Sequence, residues 1–171
     1  EFTGSSFLIE YNGNTLACAH AQVLSHHFGV KPGVENKKDI PASVKEWMLC
    51  PRTQKGGFFG KKLVIENPIR VTKFLNAEST GKILLMDIDD VPTTGNYAGL
   101  RLSITTATKG MDIVVTTCPK DLKDMTQQFY FGEIVQELKD GHFVLALKDE
   151  ILHGSVPGSP VSDVTGKLLG M

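Results

Sequence analysis

Short runs of strand-forming residues alternate with turn-forming residues along the whole chain, and this pattern limits the folds that it can adopt. The 171 residues include 17 glycines and 8 prolines, and Val, Ile, Thr and Phe are concentrated in the runs between them. β-Branched and aromatic residues favour strands, whereas Gly and Pro interrupt long helices. The pattern therefore predicts an all-β protein with few helices.

The runs fall into two groups, with about six predicted strands in the first half of the chain and about five in the second. They cover residues 6–10, 15–19, 62–66, 69–75, 82–87 and 97–104, and then 113–117, 129–138, 143–148, 160–162 and 167–171. Turn sequences at Asn12-Gly13, Asp140-Gly141 and Thr165-Gly166 are typical of hairpins. Strand spacing this even favours barrels or a sandwich.

One stretch does not fit the strand pattern. Residues 39–49 place four apolar side chains, from Ile40 to Met48, at the i, i+4, i+7 and i+8 positions of one helical face, and Pro41 stands near the start. Proline is tolerated in the first turn of a helix. The stretch predicts a short amphipathic helix that packs as a lid on the first group of strands.

The charge balance excludes a general attraction to polyanions. The formal net charge is −1 and 41% of the residues are apolar, which is typical of a core-forming domain without broad affinity for nucleic acid or a membrane surface. The charges are nevertheless divided, since residues 1–85 carry 11 Lys+Arg and 7 Asp+Glu whereas residues 86–171 carry 7 and 12. Opposite charges of this kind favour contact between the two halves.

Three segments contain candidate catalytic residues. The first, residues 4–20, is a glycine-led strand, an Asn-Gly turn and a second strand that ends in Cys18-Ala19-His20. The second, residues 96–102, reads Asn-Tyr-Ala-Gly-Leu-Arg-Leu. The third, residues 158–171, reads Gly-Ser-Pro-Val-Ser-Asp-Val-Thr-Gly-Lys-Leu-Leu-Gly-Met.

In order, spacing and strand context, these segments resemble the trypsin-like (chymotrypsin-fold) serine peptidases. The third is the most specific, because it combines the tight loop that follows the family's nucleophile with the next hairpin. The resemblance implies two antiparallel β-barrels around an active-site cleft. It also implies an N-terminal barrel over residues 1–106, with an insertion at about 25–62, and a C-terminal barrel over 107–171. Truncation of this second barrel is one expectation.

Carried over residue by residue, the resemblance gives an incomplete catalytic triad. His20 falls on the general base, which takes the proton of the nucleophile and returns it to the leaving group. Asn96 falls on the aspartate that holds the imidazole, and this exchange costs about 10⁴-fold in kcat in a trypsin-like protease. Pro157 falls on the nucleophile and offers neither a hydroxyl nor a backbone N–H. Covalent catalysis of the family's kind is therefore not expected.

The residues leave other interpretations open. His20 is also compatible with a core histidine, and Asp89 or Asp90 is an alternative partner for it in place of Asn96. Ser155 and Ser159 flank Pro157 and are alternative nucleophiles. The basic and aromatic segment 52–62 suggests the tip of a hairpin more than a contact for an acidic partner. The three cysteines match no metal-ligand spacing, and no cofactor is implied.

The favoured hypothesis is a non-catalytic domain of trypsin-like peptidase fold, a pseudoprotease that binds a protein or peptide partner. Neither nucleic acid nor a membrane is predicted as a partner. The first alternative is an active serine peptidase whose rebuilt site uses Ser155 or Ser159 with His20. The second is a structural β-domain in which the resemblance has no functional content. The sequence does not indicate a cellular compartment.

Overall fold

The chain is all-β, as predicted. The computed structural model describes residues 5–21, 46–50, 52–57, 60–65, 68–75, 82–89, 91, 98–117, 127–151 and 158–171. The strands are β1 (Ser6–Tyr11), β2 (Asn14–His20), β3 (Met48–Leu49), β4 (Arg52–Gly57), β5 (Gly60–Ile65), β6 (Ile69–Phe74), β7 (Ile83–Ile88), β8 (Leu100–Arg101), β9 (Asp112–Thr117), β10 (Gln128–Glu137), β11 (Phe143–Leu147), β12 (Val161–Asp163) and β13 (Leu168–Gly170). A 3₁₀ turn, Lys139–Gly141, joins β10 to β11.

The first six-stranded sheet has the order β3-β6-β7-β2-β1-β8. β1 and β2 form a tight hairpin in which Tyr11 pairs with Asn14. Asn12 and Gly13 both have positive φ, 49° and 78°, which is the geometry that Asn-Gly supplies at low steric cost. β8 is the exception to the antiparallel pattern, since Leu100 pairs in parallel with Ile9 of β1.

The second sheet has five strands in the order β11-β10-β9-β12-β13. The predicted turns before β11 and β13 are confirmed, because Asp140, Gly141 and Gly166 all have positive φ. Along β9, Ile113, Val115 and Thr117 are buried and alternate with more exposed residues. This period-2 pattern is expected for a sheet with one face on a core.

Most of the basic segment predicted to be a hairpin tip is in the paired strands themselves, because β4 and β5 run antiparallel with Gly57 opposite Gly60. Phe58 and Phe59 lie outside the described residues. The helix predicted over residues 39–49 is wrong at its end, where Met48 and Leu49 form β3 and pair with Arg70 and Ile69. Pairing with the edge of β6 satisfies backbone groups there, so tertiary context overrides the helical period. Residues 39–45 lie outside the described residues.

The two sheets contact each other through a shared apolar cluster. Ile9, Leu16 and Cys18 of the β1–β2 hairpin pack with Leu168 of β13, and all four are buried. The backbone continues this contact, because Ser103 N donates a hydrogen bond of 2.8 Å to Leu168 O. The domain boundary predicted between residues 106 and 107 stays a prediction.

The turn between β12 and β13 is held by one carboxylate. Asp163 Oδ1 accepts hydrogen bonds from Thr165 N at 2.8 Å, Thr165 Oγ1 at 2.6 Å and Lys167 N at 3.0 Å. These bonds stabilise the ionised form, and the Thr165 hydroxyl makes the largest contribution to lowering the pKa of Asp163. A carboxyl group whose pKa is lowered on folding stabilises the folded state above its unfolded pKa.

We therefore expect Asp163→Ala to lower the free energy of unfolding at neutral pH, by about 1 kcal/mol or less because the carboxylate is solvent-exposed. The wild-type advantage should be fully present above the unfolded pKa, near 3.9, and should decline as the pH falls through the folded pKa. Urea unfolding of both proteins across this range measures the difference. A difference that grows on acidification would contradict the proposed role of the carboxylate.

Candidate functional site

His20 lies at the end of β2, which we call the histidine strand and which has β1 on one side and β7 on the other. Ala19 pairs with Ser6 of β1, and His20 itself pairs with Ile83 of β7. The following residue, Ala21, is buried and donates a backbone hydrogen bond of 2.6 Å to Lys82 O. The backbone of His20 is thus fixed between two strands, and its side chain is half-buried.

The structure brings the C-terminal motif into contact with His20. Gly158 has φ +87°, and a Cβ added to it would lie 2.7 Å from Ser5 O, 3.4 Å from His20 N and 3.6 Å from His20 Cβ. A side chain at this position would collide with the β1 backbone, so glycine is required both for its φ and for this close approach. The motif Gly158-Ser159-Pro160 therefore begins directly against the histidine strand.

This contact predicts that Gly158→Ala destabilises the protein more than Gly166→Ala. Each substitution forces alanine into left-handed backbone, which costs about 1–2 kcal/mol. A Cβ at Gly166, where φ is +82°, would meet nothing within 4 Å, so Gly166→Ala isolates the backbone cost. Gly158→Ala adds the collision with Ser5 O. Equal losses of unfolding free energy in the two variants would show that the close approach is absent.

Ser159, one of the two alternative nucleophiles, does not face solvent. Ser159 is 8% exposed, and its Oγ has no hydrogen-bond partner among the described residues. Val161 pairs with Val115, and Thr116 N donates to Pro160 O at 3.1 Å, so the same register places Ser159 opposite Thr117. Residues at i and i+2 of an extended strand share a face. Ser159 accordingly lies on the same face as Val161, in the core of the second sheet.

Thr117 is a second buried hydroxyl at this place, and the sequence reasoning did not find it. It is 2% exposed, and within the part of the chain that the structure describes Thr117 Oγ1 also has no hydrogen-bond partner. The available signal was the alternation of Ile113, Val115 and Thr117, which puts a polar residue at a core position. The strand-end region next to Gly158 thus contains two opposed buried hydroxyls, Thr117 and Ser159, that have no partner among the residues described there.

Since an unpaired buried hydroxyl is costly, we expect Thr117→Val to raise the free energy of unfolding by about 1 kcal/mol. Valine keeps the shape of the side chain and removes only the polar atom. Thr116→Val, on the opposite face of β9 and half-buried, is the matched control for strand propensity. Thermal and urea unfolding report both changes. A loss of stability in Thr117→Val that Thr116→Val does not share would mean that the hydroxyl is hydrogen-bonded.

The strand that follows Asn96 is not adjacent to the histidine strand. β8 pairs with β1, so β1 separates it from β2, at about 5 Å per strand. Asn96 itself lies outside the described residues, as do Ser155, Pro157 and Asp90. Their assigned roles stay predictions.

Asp89 is the alternative aspartate whose position is described. His20 pairs with Ile83 at the first residue of β7, whereas Asp89 follows the last residue and donates its backbone N–H to Arg70 O. Six residues of extended chain separate Ile83 and Asp89, which corresponds to about 20 Å. Asp89 therefore does not face His20.

Cys18, two residues before His20, is a core residue rather than a reactive thiol. It is 4% exposed, and burial raises its pKa to about 12. The thiolate that acts as a nucleophile is therefore not formed at neutral pH. Within the described part of the chain, no group of three or more His, Cys, Asp and Glu is arranged to hold a metal ion. No helix there is long and apolar enough to cross a membrane.

The fold agrees with that of trypsin-like protease domains. The structure resembles that of an inactive-form mutant of Rv3671c from M. tuberculosis H37Rv, at 13% identity, with 98% of this chain and 67% of that chain covered and a TM-score of 0.55. It also resembles Deg5, at 11% identity, with 99% and 73% covered and a TM-score of 0.53.

The protease domain of MamO from Magnetospirillum magneticum gives 12% identity, 99% and 75% coverage and a TM-score of 0.49. No protein-family model matches the sequence, and no curated protein is significantly similar to it. At these identities the similarities to Rv3671c and Deg5 establish the fold alone. The chain is thus a domain of trypsin-like, chymotrypsin-type protease fold.

Proposed function

We propose that this protein is a non-catalytic domain of trypsin-like protease fold that binds a protein or peptide partner. The observation that carries the proposal is the contact between Gly158 and the backbone of His20. Position 157 directly precedes this glycine, and the residue there is proline. Proline has no hydroxyl to attack a carbonyl group and no N–H to stabilise the resulting oxyanion.

The burial of Ser159 also supports the proposal. A nucleophilic hydroxyl must approach the reacting carbon to within about 3–3.5 Å and share a hydrogen bond with its base. Ser159 Oγ has no hydrogen-bond partner in the described ranges of the chain, and it lies on the core face of the second sheet. The active-peptidase alternative is then left with Ser155, two residues before Pro157.

We expect the wild-type protein to form no adduct with a fluorophosphonate reagent and to hydrolyse no activated ester above background. Intact-mass spectrometry and a chromogenic ester assay test this expectation. The variants Ser155→Ala and Ser159→Ala serve as controls for any modification. A stoichiometric adduct that either substitution abolishes would establish a rebuilt serine peptidase and contradict the proposal.

The variant Pro157→Ser tests whether position 157 is the nucleophile position. A serine beside the His20 contact should gain reactivity toward the fluorophosphonate, because the reagent needs little leaving-group assistance from the base. Peptide mapping identifies the labelled residue. His20→Ala in the Pro157→Ser background should remove the gain. Because Asn96 by itself weakens the histidine base, the same labelling is measured in Asn96→Asp/Pro157→Ser. If neither folded variant is labelled, position 157 is not the nucleophile position.

A further inference from the structure

The outer face of the second sheet carries exposed aromatic residues that the site does not use. Along β10, Tyr130, Gly132 and Ile134 point into the core, whereas Phe129 and Phe131 point outward. Phe129 is 56% exposed and Phe131 is 51% exposed. Side chains at i and i+2 of a strand stand about 7 Å apart on one face, so the two rings lie on the same part of the surface.

Neighbouring strands extend this apolar surface. Phe131 pairs with the half-buried Val114 of β9. Ala146 of β11 is exposed and pairs with Glu133, which lies two residues beyond Phe131 on the same face of β10. Single exposed apolar residues are common on protein surfaces, but contiguous ones indicate a contact region. We call Phe129, Phe131, Val114 and Ala146 the β10 face.

Two carboxylates border the β10 face at one end. Glu133 pairs directly with Asp112 across β9 and β10, and both are exposed. Ile134 N donates a hydrogen bond to Met111 O at 3.0 Å. The next pair, Glu133 and Asp112, is therefore a non-hydrogen-bonded one, in which the side chains are closest. Among the described residues, neither carboxylate forms an ion pair.

Like charges directly opposite each other destabilise a sheet, so this arrangement has a cost that a bound cation would offset. Lys148 lies beside Phe131 on the β11 side, where its backbone N–H donates a hydrogen bond of 2.8 Å to Phe131 O. One cation thus accompanies two carboxylates around the β10 face. The surrounding half of the chain is also acidic, with 12 Asp+Glu against 7 Lys+Arg in residues 86–171.

We propose that the β10 face binds a basic segment of a partner protein, in which Lys or Arg side chains stand next to apolar ones. The cation would lie between Asp112 and Glu133, and the neighbouring apolar side chains would cover Phe129 and Phe131. An Arg or Lys side chain suits both features, because it pairs with carboxylates and also stacks on aromatic rings. This binding surface is separate from the candidate site at His20 and goes beyond the proposed function.

The charges argue against other occupants. A second copy in which two β10 faces meet would bring carboxylates against carboxylates, which costs several kcal/mol. Anionic lipid would likewise be repelled by Asp112 and Glu133. A basic partner segment is the occupant that complements both the apolar surface and its acidic border.

The test uses two fluorescein-labelled peptides, one of alternating Lys and Leu and one of alternating Glu and Leu, in anisotropy titrations with the full chain. We expect the wild type to bind the Lys-Leu peptide, with an affinity that falls as ionic strength rises, and not the Glu-Leu peptide. Phe131→Ser and Glu133→Lys should each weaken binding about tenfold or more.

Matched controls separate the β10 face from general surface effects. Val164→Ser removes an exposed apolar residue in the β12–β13 turn, and Glu46→Lys makes the same charge change beside β3. Both should keep the wild-type affinity within about twofold, and thermal unfolding confirms that every variant is folded.

Four results would overturn the proposal. These are failure of the wild type to bind the Lys-Leu peptide, equal binding of the Glu-Leu peptide, unchanged affinity in Phe131→Ser and Glu133→Lys, and a Phe131-dependent dimer in sedimentation. Binding of the wild type to phosphatidylserine vesicles that Phe131→Ser abolishes would assign the face to a membrane instead. None of these outcomes depends on whether the serine-directed reagents label the protein.

Discussion

The packing of the β1–β2 hairpin against the C-terminal motif is the contact on which the rest of this structure depends. Ile9, Leu16 and Cys18 share one apolar cluster with Leu168, and Gly158 approaches the backbone of Ser5 and His20. A contact that brings two backbones together tolerates no side chain, so glycine defines the distance between the sheets at this point. The position of the C-terminal motif beside His20 follows from this approach.

The same contact determines which residues are available for chemistry. The chain leaves Gly158 and enters the β9–β12 ladder at once, where Thr116 N bonds to Pro160 O. That register turns Ser159 into the core, opposite Thr117, so its hydroxyl is buried beside the site instead of exposed in it. Strand register can thus bury a residue that lies next to a candidate site in sequence.

The strands themselves were largely predictable from local pattern. The hairpin turns at Asn12-Gly13 and Thr165-Gly166 have the positive φ values that their sequences favour, and Ile113 and Val115 of β9 are buried at alternate positions. Two elements were not predictable. Arg52–Gly57 has only one β-branched residue, Thr53, and no large apolar one, yet it pairs along its length with β5. Met48–Leu49 has a helical period yet joins the edge of β6. In both cases backbone pairing with another strand stabilises the element.

The sequence by itself determined the all-β class, the turn positions and the chemical identities at the candidate site, because these depend on residue type and on spacing of a few positions. Only the tertiary structure decided that Gly158 lies against His20, that Ser159 faces the core, and that β8 pairs with β1 in parallel while β7 lies beside β2. The reason is physical. Strand order and register arise from contacts between residues far apart in the chain, and a shift of one residue exchanges the two faces of a strand.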